Sequence, residues 1–173
     1  MSKNILVTYA TKYGSTAEVA EAIAAALREK QHAVTVQAAQ NVTDITPYEA
    51  VVLGAPIYIG QWMKEAHSFL KQHGEALNAR PLALFALGPT DTDETAMQGA
   101  VEQFQNDLAQ HDHLNPLLKQ VFVGKYDPDN LSLPHRLLAM LPASPLHNRP
   151  ASDHRDWNAV QAWADEISDH LGD

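Results

Sequence analysis

The chain contains no cysteine. That absence removes disulfides, thiolate nucleophiles, cysteine-ligated zinc and iron–sulfur clusters together, so redox chemistry has to come from a bound organic cofactor or a metal held by other ligands. Long apolar runs are missing too. No stretch reaches the roughly 18 apolar residues of a transmembrane helix, and Lys3 and Asn4 lead directly into the first apolar run without a signal pattern. A cytoplasmic location is the expectation. Nucleotide and metal signatures are equally lacking: there is no G-x-G-x-x-G, no G-x-x-x-x-G-K-[ST], and none of the nine histidines belongs to H-E-x-x-H. His111 and His113, two residues apart, would not share a helix face. Positive charge is scarce, with 12 Lys and Arg against 21 Asp and Glu and a formal net charge of -9. This argues against a nucleic-acid partner and fits docking on basic protein surfaces.

What is present begins with a strand, a loop and a helix. Ile5, Leu6, Val7, Tyr9 and Ala10 form a nearly continuous apolar run, the pattern of a strand buried on both faces. After Gly14, the residues Val19, Ala20, Ile23, Ala24 and Leu27 recur on one face of a helix. The first N–H groups of such a helix lack internal partners and its dipole is positive at that end, so the loop favours an anion. Thr11, Ser15 and Thr16 add hydroxyl donors, and Gly14 lets the backbone approach a ligand or take positive φ. Two readings follow: Ser15 and Thr16 cap the helix, or the loop holds a phosphate.

The rest of the chain alternates in the same way. Strands are expected at Val34–Ala38, at Ala50–Ala55 where Pro56 stops the run, at Leu82–Leu87 and at Lys119–Gly124. Helices are expected at Trp62–His73 with Gly74 as terminator, at Thr95–Leu108, and at the end, where Trp157, Val160, Trp163, Ala164, Ile167 and Leu171 make an apolar face that Ser152 or Asp153 could cap. Trp157 and Trp163 are expected in the core. The pattern implies a single α/β domain over residues 1–173, a parallel sheet covered by helices on both faces. A receiver-type signalling module would need acids after the first strand and an Asp ending the third. Thr11 and Gly54-Ala55-Pro56 stand there instead, and only Lys125 fits.

One stretch is irregular. Residues 125–155 carry five prolines, and loops of that length in compact domains are usually functional. Leu133, Leu137 and Leu141 recur at helical spacing, with Leu138 and Met140 nearby. They would touch a membrane surface through residues 131–143 or shield a quinone or porphyrin, or else pack on the sheet edge.

In an open parallel sheet the ligand lies outside the carboxyl ends of the strands. Three loops leave such ends: Thr11–Thr16, Pro56–Trp62, and the one that follows Leu87. The second holds Ile57, Tyr58, Ile59, Gly60 and Trp62, and the third Gly88, Pro89 and Thr90. A hydroxyl-rich loop beside two such loops suits a ligand with one phosphate and a flat, partly apolar ring. Lys12 could pair with the phosphate.

The segment Thr11-Lys12-Tyr13-Gly14-Ser15-Thr16 resembles the phosphate loop of the flavodoxin superfamily, with Tyr13 where that family usually has Thr. The resemblance implies a flavodoxin-like three-layer sandwich with a five-stranded parallel sheet in the order 2-1-3-4-5. It also implies FMN as cofactor, with Thr11, Lys12, Tyr13, Gly14, Ser15 and Thr16 at the phosphate. The ring would lie between Pro56, Ile57, Tyr58, Ile59 and Gly60 on one side and Leu87, Gly88, Pro89 and Thr90 on the other. Within the superfamily, four segments are similar to flavodoxin-domain proteins of the menaquinone-dependent protoporphyrinogen oxidase type: Tyr9–Thr16, Gly54–Gly60, Ala86–Thr90 and Arg155-Asp156-Trp157. That likeness implies an oxidoreductase exchanging electrons with a quinone, a porphyrinogen-like donor or a redox partner protein. The alternative is an electron carrier without its own substrate, docking on a basic protein.

Overall fold

The computed structural model describes residues 1–172. The first strand, β1 (Asn4–Tyr9), is buried from Ile5 to Thr8. It leads into α1 (Ser15–Glu29), whose inward side carries Val19, Ala20, Ile23, Ala24 and Leu27. Then come β2 (Ala33–Ala38), β3 (Ala50–Tyr58), a two-residue β4 (Gln61–Trp62), α2 (Lys64–Asn78), β5 (Leu82–Leu87), α3 (Glu94–Leu108) and β6 (Leu118–Phe122). The last part holds β7 (Lys125–Tyr126), α4 (Leu133–Met140), β8 (Ser152–Asp153) and α5 (Trp157–Gly172).

The long strands lie parallel in the order β2-β1-β3-β5-β6, with β4 folding back antiparallel on β3. Leaving out β4, this is the 2-1-3-4-5 order. Helices α2 and α3 cover one face of the sheet, packing Phe69, Leu70, Leu77 and Phe104 over Leu6, Leu53 and Leu84. Helices α1 and α5 cover the other, with Ile23, Leu27, Trp163 and Ile167 over Val7, Val52 and Phe85. Tyr9 pairs with Gly54 and Gly54 with Phe85, so the ends of three strands lie in one row and their loops become neighbours. Gly54 is required there by contact: a Cβ would lie 1.9 Å from the Phe85 ring, which reaches across β3 towards Trp163.

Several element boundaries differ from expectation. Strand β3 runs through Pro56 to Tyr58. The missing N–H of Pro56 faces the side of β1, where the ladder ends with the Ala10 N–H donating to the Gly54 carbonyl at 2.9 Å, so the proline stops the pairing with β1 while β3 runs on beside β5. Trp62 belongs to β4, not to the second helix, and is buried, with Nε1 donating to the Ala55 carbonyl at 3.0 Å and its backbone N–H to Asp107 at 2.6 Å. Helix α2 passes through Gly74, where a Cβ would come within 3.2 Å of the His113 ring. Close approach, not termination, is the role of that glycine. Strand β6 ends at Phe122, two residues before Gly124. The cap of α5 is Asp156, whose Oδ1 accepts from the N–H groups of Asn158 and Ala159. Ser152 and Asp153 pair with β7 instead. Trp163 is core, but Trp157 is 43% exposed and lies under the Arg155 guanidinium at 4.7 Å.

Residues 125–155 are organised around α4 and the β7–β8 pair. Helix α4 buries none of its residues, and Leu133, Leu137, Leu138, Met140 and Leu141 are all exposed. Its leucines therefore do not pack on the sheet edge. No helix among the described residues is long and apolar enough to cross a membrane.

Candidate cofactor site

Helix α1 starts without a side-chain cap. Its N-cap residue is Gly14, in the left-handed region at φ 91°, and no hydroxyl bonds the first turn. The capping reading of Ser15 and Thr16 is thereby overturned. The Thr11 hydroxyl accepts from the Gly14 N–H at 2.9 Å and holds the loop closed. Glu18 is the first residue of the helix whose N–H finds an internal carbonyl, that of Gly14. The N–H groups before it are the ones a helix leaves for an anion. The Thr16 hydroxyl is fully buried and has no partner. A buried hydroxyl without a partner is costly, and a phosphate at the head of the helix would relieve that cost.

Beside this loop lies a cavity of about 380 Å³, in the size range of small-ligand sites. From the N-terminal loop it is lined by Lys12, Tyr13 and Ser15, from the second loop by Pro56, Ile57, Tyr58 and Ile59, and from the third by Leu87, Gly88, Pro89 and Thr90. The three loops singled out from sequence do converge. Thr11, Gly14, Thr16 and Gly60 do not line this cavity; Thr11 borders the next groove. Trp62 is held in the core by the bonds just described. Lys12 is exposed, and its Nζ lies 4.2 Å from the Tyr58 ring centroid.

The fourth wall was not expected. It comes from residues 124–149: Gly124, Lys125, Tyr126, Asn130, Leu131, His135, Leu146 and Arg149, with Asp91 and Asp127 at the rim. The Tyr126 hydroxyl is buried and unpartnered. This wall is tied to the third loop: Arg149 donates to the Thr90 hydroxyl and sits 3.6 Å from Asp91, Ser152 donates to the Thr90 carbonyl at 3.0 Å, and the Gly124 N–H donates to Pro89 at 2.7 Å. His135 ties it to the other two loops. One ring nitrogen, Nδ1, is 2.6 Å from the Tyr13 hydroxyl and 2.8 Å from that of Ser132, and the other, Nε2, bonds the Tyr58 hydroxyl. Burial, and next the neighbouring Tyr13, push the Tyr58 phenol up to about 12. The proline-rich composition of 125–155 marked the segment as unusual, but nothing in its spacing reveals that a histidine would bridge two tyrosines more than 70 residues away.

Arg155 underpins the site from below. Its side chain is 4% exposed; it grips Asp153 through two bonds, pairs with Glu18 and donates to the Ser15 carbonyl at 3.2 Å. The hydrogen bonds from Arg155 hold the Asp153 carboxyl down at about 2.

The Flavodoxin domain family profile matches residues 6–146. The chain belongs to that family. Among solved structures, a flavodoxin from the domain Archaea is 14% identical, with 98% of this chain and 99% of that one covered and a TM-score of 0.61. The flavodoxin of Streptococcus pneumoniae TIGR4 is 17% identical, covering 96% and 99%, at 0.61. Rubredoxin oxygen:oxidoreductase from Desulfovibrio gigas is 14% identical and matches 98% of this chain with 36% of its own length, at 0.56. At such identities these likenesses concern the fold. No curated protein matches. The family is one of FMN-binding redox proteins, FMN is the cofactor of this chain, and the uncapped helix, the free Thr16 hydroxyl and the cavity beside them fit it.

Proposed function

We propose that the chain is an FMN-dependent oxidoreductase of the menaquinone-dependent protoporphyrinogen oxidase kind, exchanging electron pairs with a quinone or a porphyrinogen-like donor. In this reading the FMN phosphate sits at the head of α1, held by Thr11, Gly14, Ser15 and Thr16, with Lys12 and Tyr13 beside it. The ring lies between Pro56, Ile57, Tyr58, Ile59 and Gly60 on one side and Leu87, Gly88, Pro89 and Thr90 on the other, and Tyr126 closes the cavity. Bound FMN supplies the redox chemistry, and the protein supplies position and electrostatics. The observation that carries the enzyme reading is the fourth wall. An electron carrier gains from an open flavin edge, whereas here residues 124–149 enclose the cavity from a further side.

The same segment supports contact with a membrane, where quinones dissolve. From Leu131 to Ser152 there is no Asp or Glu, although the chain has 21. That stretch presents exposed Leu133, Leu137, Leu138, Met140 and Leu141 beside Arg136. Apolar residues flanked by basic ones suit an anionic bilayer surface. In a cell this would place the protein in the cytoplasm, at the inner face of the membrane.

The carrier reading rests on the net charge of -9, which suits a basic protein partner. Stepwise reduction of the flavin-loaded protein, followed by absorbance, separates the two. Direct conversion from oxidised to fully reduced flavin supports the enzyme, and a stable blue one-electron form supports the carrier.

A further inference from the structure

The geometry points to His135 as the centre of a proton relay, Tyr58–His135–Tyr13, that carries protons from water to the acceptor in the cavity. This inference rests on the quinone-linked reading above. A single imidazole has a tyrosine hydroxyl on each ring nitrogen: Tyr58 on Nε2, and Tyr13 on Nδ1 at 2.6 Å. All three residues line the cavity and all are half-buried. At the outer end the exposed Ser132 hydroxyl also reaches Nδ1, so the chain of groups starts at solvent. The arrangement is more than a packing contact, because α4 buries no side chain and needs no histidine for a core. Hydroxyl and neutral imidazole groups each donate and accept, so a row of them passes a proton without any member holding a charge for long.

The need for such a path follows from stoichiometry. A quinone becomes a hydroquinone by gaining two electrons and two protons. Bound FMN would supply the two electrons as a hydride equivalent, so the second proton has to come from elsewhere. Tyr58 gives its hydroxyl proton to the quinone oxygen and regains one from Nε2–H. Nδ1 takes the Tyr13 proton, and Tyr13 is refilled from water. No electrons move along the relay, and the imidazole finishes in its other tautomer, to be reset before the next turnover. Burial and the neighbouring Tyr13 keep Tyr58 protonated well above neutral pH, the state the first transfer needs.

The test compares two acceptors on photoreduced, FMN-loaded protein: a water-soluble naphthoquinone, which takes up protons, and ferricyanide, which takes up an electron alone. In His135→Ala and in Tyr58→Phe the ratio of quinone to ferricyanide rates falls about 10²-fold, and free imidazole restores the ratio in His135→Ala but not in Tyr58→Phe. A ratio that does not change in either variant, or a lowered ratio that imidazole fails to restore in His135→Ala, overturns the relay. The apoprotein gives a second readout. With ¹⁵N-labelled histidine, Tyr58→Phe shifts one ring nitrogen of His135 and Tyr13→Phe shifts the other; a ring insensitive to both also overturns it. Failure of the parent protein to take up FMN contradicts the redox reading itself, which none of the variant results does.

Discussion

Arg155, at the threshold of the last helix, donates a hydrogen bond to the carbonyl of Ser15, the first residue of the first helix. One guanidinium, buried to all but 4% of its side chain, thus joins the start of the first helix to the approach of the last beside the phosphate loop. Its partners Glu18 and Asp153 are themselves about half exposed, so losing the arginine does not leave a deeply buried charge. The cost is that of the hydrogen bonds themselves. Arg155→Gln is expected to lower stability by about 2 kcal/mol, a fall in Tm of roughly 4–8 °C for a chain of this size. It also weakens FMN binding, because the first turn of α1 loses its brace. Thermal denaturation of the apoprotein and FMN titration measure the two effects separately.

Thr16 gives the opposite pattern. Its hydroxyl is buried with no protein partner, so Thr16→Val leaves the apoprotein as stable or makes it more so. The same change costs FMN about tenfold in affinity, the equivalent of one hydrogen bond to a charged group. A Tm that falls together with affinity would mean that the hydroxyl is satisfied within the protein.

A histidine pair outside the cavity lining sets the behaviour in acid. His67 Nδ1 and His111 Nε2 are 2.8 Å apart with the rings stacked, close to His113, Asp107 and Lys71. Burial first, then the neighbouring His67, lowers His111 to about 4; burial lowers His67 against the opposing pull of Asp107. His32 is lowered as well, chiefly by burial; its Nδ1 accepts from the Lys3 N–H and its Nε2 meets the Ser168 hydroxyl. For all three the unfolded chain binds protons more readily than the folded one. Stability is therefore full above pH 6.5 and falls with pH through the window from 6.5 to about 4. A Tm profile should show that decline, and His111→Phe should flatten it.

The exposed face of α4 yields a binding prediction. The protein should sediment with vesicles containing anionic lipid and far less with neutral ones, the contrast shrinking as salt is raised. Leu137→Glu with Leu141→Glu should reduce the bound fraction by at least about tenfold, since each leucine is worth about 1.5–3 kcal/mol when fully buried. Unchanged sedimentation of that variant contradicts membrane contact through this face.

The positions of the main strands were legible from sequence because each is a short apolar run bounded by turn residues; their order in the sheet was implied only by the resemblance to flavodoxins, since apolar runs locate strands without ordering them. Helix ends were less legible. Gly74 looks like a terminator but lies inside α2, because the local signal of a glycine does not say whether His113 will press against it. Pro56 looks like a strand end and does stop the pairing with β1, yet β3 runs on to Tyr58 because β5 and β4 still pair with it. The three loops around the cavity were read from where strands end, which is local information. The wall made by His135, Tyr126 and Arg149 depends on contacts across 59 residues or more, and no periodicity within 125–155 encodes them. Trp157 misled for a related reason: it falls on the apolar face of α5 by spacing, but it stands at the first turn, where a guanidinium covers it.

The central claim is that the head of α1 grips a phosphate and thereby holds FMN in the cavity beside it. Titration of apoprotein with FMN and, separately, with riboflavin, followed by quenching of flavin fluorescence, tests this most directly. The account predicts saturable binding of one FMN per chain and riboflavin binding weaker by at least about 10²-fold, the loss of several charge-assisted bonds. Equal affinity for the two flavins, or no quenching by either, would contradict it.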